Sequence, residues 1–162
     1  MNNYDAYLVQ NPAIGAYLIY HFVKGYYANK QKNVPIHLLF IVLPFMFDEA
    51  CRQAAISFNK NKGISKLVDK INNGNKTNSI YLINKKAIKL KECTWDSINI
   101  AMASSLIDFD FETAEAFVLN DTVKEPRFNE TLSKMIKASE KIGFVFADSN
   151  LIELCSYLNV RF

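Results

Sequence analysis

Residues 11–52 read NPAIGAYLIYHFVKGYYANKQKNVPIHLLFIVLPFMFDEACR and predict two apolar helices joined by a polar turn. Asn11 is a suitable N-cap, because its side-chain oxygen can accept hydrogen bonds from the first free N–H groups of a helix. Pro12 suits the first helical position, where a missing N–H costs nothing. We therefore predict the first helix at residues 12–29.

The second helix is expected to open in the same way, with Pro35 at its start. Its first part is predicted at residues 35–43. Pro44 should kink or break it, because proline lacks the N–H that an interior helix position donates. The helix then continues to about Phe58, so that residues 11–58 form a helical hairpin.

The first helix has two distinct faces. One is purely apolar and carries Ile14, Leu18 and Phe22. The other carries hydroxylated aromatic and basic side chains: Tyr17, Tyr20, Lys24 and Tyr27. A helix with so little polar surface is normally covered on most sides, which favours a packed core. Alternatively, the tyrosine face binds a partner protein, since tyrosine is enriched at protein interfaces.

The composition is that of a folded protein of one compact unit. The chain has 162 residues, of which 50% are hydrophobic and 22% are charged, and its net charge is +3. Its three cysteines are far apart in sequence, which favours reduced thiols over a disulfide framework. The first ten residues, expected to be a short lead-in, do not resemble a signal peptide. The longest apolar run is too short for a membrane span. We therefore expect a cytoplasmic protein.

A lysine-rich segment follows the hairpin. Between Asn59 and Glu92 there are nine lysines and two acidic residues, a local charge of +7. Apolar spacing predicts a short helix from Ile64 that ends at Gly74, and a second from Ile80 to Leu90. Lysines of the second helix are expected on its outer side: Lys85, Lys86, Lys89 and Lys91.

A third helix and a β-hairpin are predicted next. Thr94 is expected to cap a helix that runs from Trp95 to about Leu106. Apolar residues then alternate with acidic ones over residues 107–112, which is typical of a half-buried strand. A return strand is predicted at residues 115–119. Three helices followed by a hairpin is the order of a winged helix, which we place at residues 59–120.

The C-terminal part is predicted to be helical. A long amphipathic helix is expected from Arg127 to Ile142, with a stop at Gly143, and a last helix at residues 149–158. The predicted fold is mainly α. It comprises the helical hairpin (11–58), the central winged-helix-like module with its short β-hairpin (59–120), and the C-terminal helices (127–162).

The sequence contains no recognisable catalytic or metal motif. His21 and His37 lie on separate predicted helices without a nearby cysteine, so a structural role within the helix pair is favoured. Alternating carboxylates on a strand usually form a solvated face, and this series lacks the glycine turn of a calcium loop. We therefore expect a protein that is not an enzyme, with no cofactor and no small-molecule substrate.

Charge position bears on DNA binding. A winged helix that reads DNA brings its third helix and its wing against phosphates. From Cys93 to Val123 there is no lysine or arginine, whereas acidic residues are frequent there: Asp96, Asp108, Asp110, Glu112 and Glu115. Phosphates would be repelled by this surface, which is better suited to a basic protein surface. The lysine-rich Lys60–Lys91 face could still contact nucleic acid, and a free-standing DNA-binding regulator is the alternative.

Both ends of the chain resemble a known family. The opening NPAIGAYLIYHFVKGYY and the following PIHLLFIVLPFMFDEACR are similar to the signature of the middle component of three-component ABC ATPase systems. These are bacterial anti-phage systems of the Lamassu type. The ending ASEKIGFVFADSNLIELCSYLNVRF resembles the closing part of the same family, and residues 59–130 are similar in pattern.

The resemblance implies an adaptor subunit that acts between an SMC-like coiled-coil ATPase and an effector, commonly a nuclease. DNA would be met mainly through the complex. On this basis we expect the tyrosine face to bind the ATPase and the acidic hairpin to meet a basic surface. The candidate partner-binding residues are Tyr17, Tyr20, Lys24, Tyr27, Asp108, Asp110 and Glu112.

Overall fold

The first helix, α1 (Pro12–Lys30), is the central element of the fold. In a computed structural model, residues 11–74, 79–120, 122–123 and 126–161 are described. Six consecutive residues of α1, from Leu18 to Val23, are buried. This burial on all sides follows from its apolar sequence and requires neighbours around its whole circumference.

The remaining elements follow α1 along the chain. They are β1 (Val34–Pro35), α2 (Ile36–Phe47), α3 (Glu49–Ile56), a 3-10 helix (Lys60–Lys62), α4 (Gly63–Gly74), α5 (Ser79–Lys89), α6 (Lys91–Ala103), β2 (Ile107–Asp110), β3 (Glu115–Val118), α7 (Glu130–Phe146) and α8 (Leu151–Leu158). The predicted mainly α fold is therefore confirmed. The lead-in predicted at residues 1–10 lies outside the described residues.

The start of α1 agrees with the prediction. The Asn11 side chain accepts hydrogen bonds from the N–H groups of Ala13 (3.1 Å) and Ile14 (3.4 Å), and Pro12 is the first helical residue. Pro35 behaves differently from Pro12, because it is extended (ψ 131°) and belongs to β1. The second helix thus begins one residue later, at Ile36.

Pro44 does not end α2. Its neighbours Leu43 and Phe45 are almost fully buried, so packing holds the helix together through the proline to Phe47. The break falls at Asp48, which is extended and caps α3 by accepting a hydrogen bond from the Cys51 N–H at 2.9 Å.

The segment 59–120 contains the predicted three helices and hairpin, but α6 starts earlier than expected. It begins at Lys91 and includes Thr94, whose hydroxyl donates to the Leu90 carbonyl oxygen at 2.9 Å. Thr94 is therefore an interior residue and not the cap, because this back-bond needs a turn of helix before it. Moreover, α6 packs mainly against α1. The third helix of this segment therefore shares its core with the first helix of the chain.

The sheet has three short antiparallel strands in the order β1-β3-β2. The hairpin pairs Ile107 with Val118 and Asp110 with Glu115. Strand β2 ends at Asp110, because the turn begins there. Phe111, predicted on the buried face of the strand, therefore lies in the turn and is 84% exposed.

The C-terminal helices differ from the prediction at their ends. Gly143 does not stop α7, which continues to Phe146. A Cβ atom at Gly143 would lie 2.0 Å from the Phe22 carbonyl oxygen, so this glycine permits α7 to touch the α1 backbone. Helix α8 begins at Leu151 because Asn150 and Glu153 form a capping box.

Candidate partner-docking surface

The tyrosine face of α1 is mostly inside the protein. Tyr20 is 1% exposed and its hydroxyl donates to the Asn120 carbonyl oxygen at 2.9 Å. Tyr17 is partly buried and packs edge-on against Phe128, with ring centroids 5.0 Å apart. The expectation that Tyr20 is presented to a partner is wrong, because its side chain is buried in the core.

The other two members of the face are nearer to solvent. The Lys24 ammonium lies 6.0 Å from the centre of the Tyr20 ring, and Lys24 is half-buried. Tyr27 is 49% exposed. Of the four residues that the sequence placed on this face, Tyr27 is thus the one with a largely open aromatic ring.

The lysines of the second predicted helix have two different environments: one is bonded inside the protein and three are exposed. The Lys86 ammonium donates to the Asp48 carboxylate at 2.5 Å, and Asp48 is buried. Lys86 therefore joins α5 to the start of α3. The expectation that Lys86 belongs to the outer basic face is wrong, because its ammonium is used for this internal contact. Lys85, Lys89 and Lys91 are exposed.

The Asp48 carboxylate is held in its charged form. Burial pushes its pKa upward, but the hydrogen bonds from Lys86 and from the Cys51 N–H outweigh burial, so that the pKa is lowered. Burial also raises the pKa of the Cys51 thiol, which keeps this thiol neutral. Cys51, Cys93 and Cys155 form no disulfide in the described part of the chain; Cys51 is buried, and Cys93 and Cys155 are half-buried.

His21 has a structural contact, although its partner is not on the helical hairpin. Its Nδ1 lies 3.0 Å from the Glu140 carboxylate, which links α1 to α7. This hydrogen bond is the main reason that the pKa of Glu140 is lowered. Within the described ranges, no cluster of three or more histidine, cysteine or acidic residues could hold a metal ion.

The acidic residues of the hairpin have different surroundings. Asp108 and Asp110 are half-buried, whereas Glu112 is exposed in the turn. The Asp110 carboxylate accepts hydrogen bonds from the N–H groups of Glu112 (2.9 Å) and Thr113 (3.3 Å), which lower its pKa. Asp110 thus fixes the turn and stays negatively charged.

An apolar groove, the α6–hairpin groove, lies between α6 and the β2–β3 turn. Its volume is about 320 Å³, and its lining comprises Ile36, Trp95, Ile98, Asn99, Met102, Phe109, Asp110, Phe111 and Ala114. Trp95 is 41% exposed and packs edge-on against Phe40, with ring centroids 5.1 Å apart. The aromatic rings of Trp95, which is partly exposed, and Phe111, which is largely exposed, therefore both line this groove.

One acidic residue, Asp110, lines the groove, and others are close to it in sequence. Glu112 follows Phe111 in the turn, and Asp96 follows Trp95 on α6. Glu92 precedes Trp95 by three residues and so shares its helix face. The sequence indicated the acidic charge but not the groove, because the groove forms between segments that the fold brings together.

Further exposed apolar residues lie elsewhere on the surface. On α5 they are Tyr81, Leu82 and Ile88, and on α8 they include Ile152 and Tyr157. Among the described residues, no helix is both long and apolar enough to cross a membrane.

Comparison with known proteins gave one match. A family model described as ABC-three component (ABC-3C) system Middle Component 3 matches residues 3–162. No curated protein and no solved structure matched the chain.

Proposed function

Since this chain belongs to the Middle Component 3 family of ABC-three component systems, and is thus an accessory subunit, we propose that it couples an SMC-like ATPase to an effector nuclease. We further propose that it does so in anti-phage defence of the Lamassu type, in the cytoplasm. The subunit would itself be non-catalytic and would bind no cofactor.

The observation that carries this proposal is the acidic surface formed by the hairpin and by the part of α6 that follows Lys91 and Glu92. This surface combines carboxylates with an apolar groove and contains no lysine or arginine from Cys93 to Val123. Apolar area with exposed aromatic rings is typical of protein interfaces, and a single sign of charge steers a partner of the opposite sign. A basic protein surface is therefore the complementary partner.

A second contact is proposed at the open end of α1. Tyr27 keeps an exposed ring there, whereas Tyr17 and Tyr20 are used for packing. We propose that the ATPase binds on this side and that the acidic hairpin meets the basic surface of the other partner. Two separate faces would allow one small subunit to hold both partners at once.

A non-catalytic role is supported by the uses of the buried polar groups. His21 is paired with Glu140, and Asp48 is paired with Lys86, each across two packed helices. The Cys51 thiol is kept neutral by burial. These groups therefore hold the helices together.

Co-expression with the neighbouring ATPase and effector subunits tests the proposal. When the effector carries an affinity tag, we expect the ATPase to co-purify with it only if this chain is present. Equal recovery of the ATPase without the chain would contradict the adaptor role.

A DNA-binding regulator is the second candidate, favoured by the exposed Lys85, Lys89 and Lys91. Cationic contacts dominate non-specific DNA affinity, and a regulator should bind duplex DNA tightly and with strong salt dependence. A gel shift with the purified chain separates the two functions. The adaptor is expected to show weak or no binding of its own.

A further inference from the structure

We propose that the α6–hairpin groove captures one bulky apolar side chain, flanked by lysine or arginine, from a partner subunit of the same three-component system. This inference rests on the proposed adaptor function and adds the chemistry of the segment that is bound. Its basis is the coincidence of three features: an apolar concavity, an acidic rim and an exposed aromatic ring.

The concavity is formed by one face of α6 and by the hairpin. Trp95, Ile98 and Met102 are spaced by three and four residues, so they lie along a single stripe of the helix. Phe109 and Phe111 form the opposite wall, with ring centroids 6.5 Å apart. A groove of about 320 Å³ is at the small end of the range for ligand sites, roughly 300–1,000 Å³. Its size suits one or two anchoring side chains.

The rim decides the charge of the segment that is bound. Asp110 lines the groove, Glu112 follows Phe111 in the turn, and Glu92 lies on the same face of α6 as Trp95, three residues before it. Hydrogen bonds from two N–H groups hold the Asp110 carboxylate in place without a cation. A segment with lysine or arginine on either side of its apolar residue would meet these charges directly.

Phe111 is the residue of the groove that has the largest exposed apolar fraction. With 84% of its surface exposed, it is the most exposed of the large hydrophobic side chains in the described part of the chain. Removing a phenylalanine side chain from water is favourable. Its position at the tip of a turn therefore makes it available for an intermolecular contact at no cost to the core.

A partner subunit fits the groove better than a second copy of this chain or DNA does. A second copy could offer Ile88 flanked by Lys85 and Lys89 from α5. However, such a contact joins two different faces, so it cannot form the two-fold dimer that is commonest among oligomers and would instead extend into a ring or an open filament. DNA phosphates would be repelled by the rim.

The test uses the full-length chain and measures its affinity for the purified ATPase and effector subunits. Phe111→Ser is expected to weaken binding to one of them by about tenfold or more, as an interface hot spot does. Glu112→Lys is expected to weaken the same interaction, and most strongly at low salt. Ile152→Ser is the matched control, because Ile152 is 82% exposed on α8 and should leave binding unchanged.

Each outcome decides the matter. Loss of affinity with Phe111→Ser and Glu112→Lys, but not with Ile152→Ser, supports the groove as the docking site. Wild-type affinity in either groove variant, or an equal loss of affinity with Ile152→Ser, overturns this inference and leaves the adaptor function standing. A wild-type chain that binds neither subunit overturns the adaptor function and the inference with it. Self-association or DNA binding that Phe111→Ser abolishes would identify a different occupant and overturn the inference.

Discussion

Asp48 shows how a single residue can connect two helices, here α3 and α5. Its carboxylate caps α3 through the Cys51 N–H and accepts the hydrogen bond from Lys86 on α5. The sequence places Asp48 within a continuing helix and Lys86 on a solvated face, because it does not reveal that the two residues meet. The lysine-rich segment is thus partly an internal stabilising element.

The lowered pKa of Asp48 predicts how stability depends on pH. Because the folded-state pKa lies below the ordinary value of 3.8, the contribution of the pair is complete above that value and is lost as the pH falls through the lowered pKa. At pH 7, Asp48→Asn should reduce the free energy of unfolding by about 2 kcal/mol, since a hydrogen bond to a charged group is removed. Urea denaturation of both proteins at several pH values between 7 and 3 measures this difference.

The difference between wild type and Asp48→Asn should shrink below about pH 4, where Asp48 of the unfolded wild-type chain begins to gain a proton. Glu112→Gln is a suitable control, because Glu112 is exposed in the turn and its replacement should change stability by less than about 0.5 kcal/mol. A gap that stays constant down to pH 3 would show that ionisation of Asp48 is not its source.

At the scale of elements, the pairing of α1 with α7 is the central contact. Two glycines permit it: a Cβ atom on Gly25 would lie 1.8 Å from the Glu140 carbonyl oxygen, and one on Gly143 would lie 2.0 Å from that of Phe22. Backbone atoms cannot rotate away as a side chain could, so any larger residue must separate the helices. Phe22 and Phe146 pack edge-on beside this crossing.

Gly143→Ala should therefore reduce the free energy of unfolding by about 3 kcal/mol, at the upper end of the usual range for overpacking. Thermal or urea unfolding measures the loss. Gly74→Ala is the control: outside its own helix turn, the described residues place no heavy atom within 4 Å of the added Cβ, and alanine favours the helix. An equally mild effect at both positions would be incompatible with a close approach of α1 and α7.

Local signals predicted some elements well and others poorly. Asn11 and Pro12 act within one turn, so the start of α1 followed from sequence alone. Gly143 and Thr94 carry the same kind of signal, but Gly143 serves a contact with α1, and Thr94 lies inside a helix that begins earlier. A stop or a cap can be told from a packing residue only when the neighbouring helix is known.

At the scale of the whole molecule, the hairpin and its acidic charge were predictable, because the alternation of apolar and acidic residues can be read from consecutive positions of the sequence. The burial of Tyr20 was not, since Asn120, which accepts its hydrogen bond, lies far along the chain. The α6–hairpin groove was missed for a similar reason. Its lining extends from Ile36 to Ala114, and Phe111 was expected on a buried strand face. That residues 1–162 form a single compact unit remains a prediction.

Amide hydrogen exchange of the full-length chain, alone and in complex with its ATPase and effector, tests the docking surface most directly. We predict slower exchange in the complex at the start of α6, around Trp95, and in the hairpin turn, around Phe111. The outer face of α5, with Lys85 and Lys89, should exchange at the same rate in both states. Protection confined to α5, with none at the turn, would contradict the account.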